Sequence, residues 1–358
     1  MSNIFGSIRL SDTDYVFNGT IGQRVIWDEV AKYVAEQNAA INAVLGAFVE
    51  ETTEDHSRRY KLPGGGMLQK AGGQAQSAAV KRYGQWDVAF PIEQYGDQVA
   101  QDYVTGAYMT AGELSRNIET VTIRNINTVR YELLKRLFTN TATTFVDPLW
   151  GSLTVQPLAN GDSVVYPPVI GSADEATETH YIASGYATAA ISNTNDPIGN
   201  TIVPELEEHF GQVTGGSPIV VFVNAAEVAK LTALAAVNRV QDNYVTPGSQ
   251  TAIPGLPPAL PGRTIGRHDA GAWIQQWDWI PAGYTLSIHL DQPRPLIKRR
   301  DPAATGLPDG LALIAQEAEH PFNTAHWHHR FGFGVGNRLN GVVVQLTAAA
   351  YSIPTAYA

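Results

Sequence analysis

From Glu113 to Asp147 the chain runs 35 residues without a glycine or a proline. With 33 glycines and 21 prolines in 358 residues, such a stretch would ordinarily hold about five of them. Nothing else in the sequence constrains the fold as strongly. Thr110-Ala-Gly-Glu113 has the capping-box pattern, in which a threonine hydroxyl and a glutamate carboxylate satisfy the exposed N–H groups of a helix start. Glu113/Arg116, Arg116/Glu119 and Glu132/Arg136 place opposite charges three or four residues apart. Arg130, Lys135 and Arg136 crowd the far end, where cations complement the helix dipole. Leu114, Ile118 and Val121 form one apolar stripe, and Ile126, Val129, Leu133 and Leu137 continue it with an offset. The pattern predicts a helix over 110–138, roughly 43 Å long at ~1.5 Å per residue. A helix of that length suits a spine better than one member of a small bundle.

The second constraint is charge. The chain carries a formal charge of -10, yet no acidic residue lies between His56 and Trp86. That stretch holds Arg58, Arg59, Lys61, Lys70, Lys81 and Arg82, together with glycines 64–66, 72 and 73. Its flanks, 45–50 and 83–92, read as the two limbs of a long hairpin. A hairpin of this length cannot bury its own surface and needs something outside itself to lie on. The six cations can act as an intersubunit clamp, remain a solvated loop, or contact nucleic-acid phosphates. The acidic remainder of the chain offers the clamp a ready partner. Sparse aromatic interleaving (Tyr60, Tyr83 and Trp86) argues against a single-strand stacking platform.

An apolar fraction of 44% permits a sizeable core, whereas charged residues, at 16%, are few enough to suggest either surface buried against partners or simply a neutral, loop-rich fold. There is no cysteine, so disulfides and cysteine zinc sites are excluded. The N-terminal sequence lacks the basic-then-apolar order of a secretory signal. No apolar run approaches the ~18 residues of a membrane span.

Along the rest of the chain, residues 1–22 read as an extended arm and 23–40 as a helix. Short strands are expected near 153–155, 164–166 and 181–182. Then comes an α/β unit: a short helix at 204–210, a buried strand at Ile219–Val223, and a helix at 225–237 capped by Asn224. Residues 241–263 form a proline-rich loop. Further strands are expected around Trp273, Trp277, Trp279 and 284–288, and closing strands near 312–317, 324–331 and 341–346.

Motifs for chemistry are weak. Gly332-Phe-Gly-Val-Gly336 approximates a dinucleotide loop, but Asn337 stands where the third glycine belongs, and a strand turn needing backbone freedom explains the glycines. His326 and His328 would share a strand face near His320 and His329, an acceptable metal geometry but equally a polar surface. Glu205, Glu207, Glu208 and His209 are expected on a solvated helix face, and Asp12 and Asp14 in a loop. No catalytic constellation emerges, so no enzyme activity, cofactor or metal is expected.

The order of parts resembles the major capsid proteins of tailed bacteriophages, the Hong Kong 97-type shell fold. The α/β segment 219–234 and the closing run Arg330-Phe-Gly-Phe-Gly-Val-Gly-Asn-Arg-Leu-Asn-Gly-Val-Val-Val-Gln-Leu346 are similar to that family's axial and closing elements. The resemblance implies an α+β fold. Its parts would be an N-terminal arm and first helix (1–45), an extended hairpin arm (46–92), a peripheral β-rich domain with the spine helix (93–195), an axial α/β domain (196–295) and a return into the peripheral sheet (296–358). It further implies self-assembly into pentamers and hexamers of an icosahedral head around double-stranded DNA contacted non-specifically. The hairpin arm would lie over a neighbouring copy. The implied partners are a portal, a separate scaffolding protein and a cement protein, with no membrane, and the implied location is the virion, assembled in the host cytoplasm. Some relatives crosslink a hairpin lysine to an asparagine; Lys61 or Lys70 with Asn337 or Asn340 would be the counterparts, although no motif selects them. An encapsulin-like compartment shell and a β-rich carbohydrate-active enzyme are the alternatives.

Overall fold

The helix over 110–138 forms, and its start is the expected one. Helix α2 covers Ala111–Phe138, after α1 at Gln23–Leu45. Thr110 N donates to Glu113 Oε2 at 2.9 Å, and Glu113 N donates back to Thr110 Oγ1 at 3.3 Å. This reciprocal pair stops the chain from fraying where four N–H groups would otherwise lack partners. The computed structural model describes residues 23–61, 85–102, 104, 108–166, 169, 176–208, 219–239, 260–319 and 322–358. Within them the chain divides into two units, both discontinuous in sequence.

The first unit takes described residues from 23–41, 93–129 and 303–330. Residues 322–330 of strand β15 (Phe322–Val335) lie in this unit, where β14 (Ala312–Glu319) and β4 (Glu93–Asp102) pair with the strand. β14 and β15 run antiparallel from the Ala312–His328 pair to the Glu319–Phe322 pair, with one bulge between Leu313 and Ala315. Val34 of α1, Ile118 and Val121 of α2, Leu311 and Trp327 form the core, with Leu114 and Val99 packed against it. Asn38 splints the chain at Leu311: its amide donates to the Leu311 carbonyl at 3.0 Å and its oxygen accepts from Leu311 N at 3.1 Å.

The second unit takes residues from 42–92, 130–302 and 331–358. Its largest sheet has seven strands in the order β7 (Tyr181–Ala183), β16 (Val342–Gln345), β12 (Tyr284–His289), β8 (Ile219–Val223), β11 (Trp273–Gln276), β10 (Arg263–His268) and β9 (Val237–Arg239). β8 is buried at every residue, which is why its sequence is continuously apolar. Ile219, Val221 and Val223 face a core built with Ile198, Ile202, Leu206 and Leu231. Phe222 turns the other way and meets Phe48 and Trp277 at 5.2 and 5.8 Å between ring centres. Leu133 and Leu137 of α2 are buried, and Phe138 stacks on Tyr357. Two antiparallel ribbons complete the unit, β2 (Ser57–Lys61) with β3 (Gln85–Ala89), and β5 (Thr143–Asp147) with β6 (Gly151–Val155).

Several local expectations shift. The paired limbs of the hairpin are 57–61 and 85–89, so the first limb starts later than residue 45. Residues 45 and 46–48 instead close α1 and turn. β1 (Val49–Thr53) then pairs in parallel with β13 (Leu296–Arg299), a long-range partner that no local pattern reports. The helix expected over 225–237 stops at Leu231, because Val237–Arg239 is drawn into the sheet beside β10. The helix expected at 204–210 is α3, Val203–Glu207, entered through a π-helical turn at Ile198–Ile202. Tyr166 makes an isolated bridge to Ala176 and not a strand.

Gly332 and Gly334 lie in the middle of β15, not at a turn. A Cβ on Gly332 would sit 2.2 Å from the Pro91 carbonyl oxygen, and one on Gly334 would sit 2.7 Å from that of Ala89. These glycines are there so that the segment after β3 can lie against the strand, which needs no left-handed backbone.

Candidate assembly surface

The base of the hairpin is a two-faced ribbon. Trp86, Val88 and Ala89 are buried, while Gln85 and Asp87 between them are exposed. Tyr60 stacks on Trp86 at 5.5 Å, and Trp86 meets Tyr166 at 5.7 Å. With Phe90, Ile297 and Leu339 these rings form a small core of their own. The outer face carries Arg59 and Lys61 of β2 opposite Asp87 and Gln85 of β3.

The two arginines of β2 have partners inside their own subunit. Arg59 grips Asp87 with two hydrogen bonds, at 2.6 and 2.7 Å, straight across the ribbon. Arg58 donates to Asp55 at 2.8 Å, to Thr53 Oγ1 at 2.9 Å and also to Glu51. Hydrogen bonding to Arg58 and to Arg59 holds the Asp55 and Asp87 carboxyls below their ordinary range, against the small opposing effect of burial. The acid-free window in the sequence ends at Asp55 and Asp87, and those two flanking acids neutralise its first cations. Lys61 is exposed at the end of β2. Lys70, Lys81 and Arg82 lie outside the described residues.

Beside the ribbon a groove of about 710 Å³ is lined by Arg59, Trp86, Val88, Ser152, Leu153 and Val164. Next to it, the β5–β6 turn exposes Leu149 at 84% and Trp150 at 57% of their surface. Trp150 lies flat on the His56 ring, 4.1 Å away and 7° from parallel. With Val146 of β5 exposed at 72%, Leu149 and Trp150 expose apolar surface of the kind that contacts between proteins cover.

Of the remaining sequence candidates, Asp12, Asp14, His209 and His320 lie outside the described residues. His326 and His328 share a face of β15, and His328 Nδ1 accepts from Gln94 at 3.1 Å. His329 turns inward and donates from Nδ1 to Asn125 at 2.7 Å. Asn340 is fully buried, with its amide bonded to the carbonyls of His289 and Pro293 and its oxygen to His289 N. It is closed to any crosslink, and Asn337 is tied to Pro293 and Leu339. The glutamates of α3 depart most from expectation. Glu205 and Glu208 are partly buried, not solvated. Among the described residues no helix is long and apolar enough to cross a membrane.

The whole chain superimposes on a solved structure from Mycobacterium phage Patience with a TM-score of 0.70 and 18% identity, covering 99% of this chain and 98% of that one. The chain has the fold of that phage protein. The α+β class expected from the sequence is thereby borne out, and the resemblance to phage proteins holds at the level of fold. Weaker likenesses include the mature capsid of bacteriophage PhiM1 (TM-score 0.48, 10% identity, 84% and 86% coverage) and the capsid of Ralstonia phage GP4 (0.47, 11%, 86% and 86%). No family model matches the sequence, and no curated protein does.

Proposed function

We propose that the chain is the major capsid protein of a tailed bacteriophage, a structural subunit and not an enzyme. The observation that carries this reading is the end-to-end match to a phage structure, with both chains covered almost completely. A shared fold is a warrant by analogy, and the exposed apolar pair and the cation-rich arm are the features of this chain that join it to assembly.

In this reading copies of the chain associate as pentamers and hexamers of an icosahedral shell enclosing double-stranded DNA. Residues 46–92 are the arm that reaches a neighbour, α2 is the spine, 196–295 is the axial domain, and 296–358 returns to the peripheral sheet. Arg58 and Arg59 shape the base of the arm through their own acids. That leaves Lys61, Lys70, Lys81 and Arg82 to meet the acidic surface of the next copy. Leu149 and Trp150 support the reading, since an exposed apolar pair loses its hydration cost once covered. A portal, a scaffolding protein and a cement protein are the further partners, and assembly takes place in the host cytoplasm before the subunit resides in the virion.

Negative-stain electron microscopy of the purified product, paired with sedimentation, tests the proposal. Closed shells in the megadalton range are expected, on expression alone or with the scaffolding protein of the same phage. Monomers and small oligomers under both conditions would overturn it.

A further inference from the structure

His180, Glu205 and Glu208 converge in the second unit. One ring nitrogen of the histidine and one oxygen from each carboxylate all lie within 4.8 Å of one another. The glutamates stand three residues apart at α3, so one helical turn presents both on the same side. Val203 and Leu206 between and beside them, with Ile202 before them, are locked into the main core, which fixes the direction of that side.

His180 is held with equal firmness. It lies just before β7 and is completely buried. Its backbone N–H donates to Ala159 at 2.8 Å, and its carbonyl accepts from Val343 at 2.8 Å. Its Nδ1 stands 2.9 Å from the carbonyl oxygen of Gly341. A carbonyl can only accept, so Nδ1 carries the hydrogen, and in the neutral ring Nε2 carries the lone pair. A backbone carbonyl fixing the tautomer through one nitrogen is the usual support for a histidine that ligates a metal through the other.

Both glutamates are partly buried and the histidine wholly so, and a divalent cation among them would sit in a site that the packing of the segments around it already shapes. We propose that His180, Glu205 and Glu208 bind one divalent transition-metal ion, with zinc the best match to a mixed imidazole–carboxylate set. Zinc bonds of ~2.0–2.2 Å need ligand atoms roughly 3.5 Å apart, so the glutamates close by about 1 Å through side-chain rotation. Three protein ligands leave a fourth position for water. The ion ties the start of β7 to α3, two segments with no strand pairing between them, and acts as a staple in the seven-stranded sheet's subdomain.

The test uses the full-length protein stripped with EDTA, dialysed, and titrated with Zn²⁺ by calorimetry and by thermal unfolding at pH 7.5. The expected result is one zinc per chain and a Tm raised by several degrees, with a much smaller response to Ca²⁺, which does not favour imidazole. A His180 substitution opens a buried site and can prevent folding, so the decisive variant is Glu205→Gln/Glu208→Gln, which keeps shape. It should fold, with a metal-free Tm close to the parent's, and lose the zinc response. Absence of zinc binding by the parent, or the same zinc response in the glutamine variant (as surface histidines would produce), overturns the proposal.

Discussion

Arg299 reaches Asp147 at 2.7 Å through a guanidinium nitrogen that also donates to the Phe90 carbonyl at 2.9 Å, and both side chains are almost fully buried, 8% and 2% exposed. One arginine from β13 thus joins the end of β5 to the segment leaving β3.

The pair should be costly to break from one side. Asp147→Asn leaves the Arg299 charge buried with its counterion gone, and about 3–5 kcal/mol of stability should be lost in urea unfolding. Burial opposes ionisation of Asp147, but hydrogen bonds from Leu149 N, Arg299 and Trp150 N outweigh it and hold the carboxyl below its ordinary range. A depressed folded-state value contributes stability that is present above the unfolded carboxylate range near ~4 and is lost as pH falls through the folded value. The acid limb of the stability profile should therefore flatten in Asp147→Asn. An unaltered acid limb would show that other carboxylates govern it.

Arg59 and Asp87 make the opposite case, because both are well exposed. Arg59→Ala should change unfolding stability by less than about 1 kcal/mol. Lys61→Glu should also leave the isolated fold intact, yet slow particle formation and reduce its salt dependence if the arm meets an acidic neighbour. Light scattering at several salt concentrations would read this. An identical salt profile would leave the lysine with no part in assembly.

Lys61 and Gln85 are the last pair of the β2–β3 ribbon. Deleting 62–84 and joining them with an Asn-Gly turn should preserve the ribbon, because the turn geometry fits an antiparallel pair. The circular dichroism spectrum should be retained while shells disappear from micrographs. Intact shells from this deletion would remove the arm from the assembly mechanism.

Gly334→Ala should destabilise by about 1–3 kcal/mol, since the added methyl meets the Phe90 ring and the Ala89 carbonyl at less than contact distance. Thr110→Ala should cost about 1 kcal/mol by exposing the first turn of α2. If Gly334→Ala unfolded at the same urea concentration as the parent, close packing after β3 would not explain the glycines of β15.

What could be read from the sequence was local. The capping box at Thr110 and Glu113 and the 35-residue stretch free of glycine and proline placed α2 within one residue at its start. A helix forms its bonds within four residues, so its pattern is written where it acts. The continuous apolar run of β8 was readable for a related reason, since burial on both faces leaves a mark at every position. Tertiary structure alone decided which strands pair. β1 finds β13 about 250 residues away, and Arg58 and Arg59 find acids lying just outside the window that made them look unmatched. It also decided that Glu205 and Glu208 lie partly buried near His180 and not on a fully solvated face. Pairing across such distances depends on how whole elements pack, and hydrophobic burial, which drives that packing, is non-directional and leaves no short sequence signature.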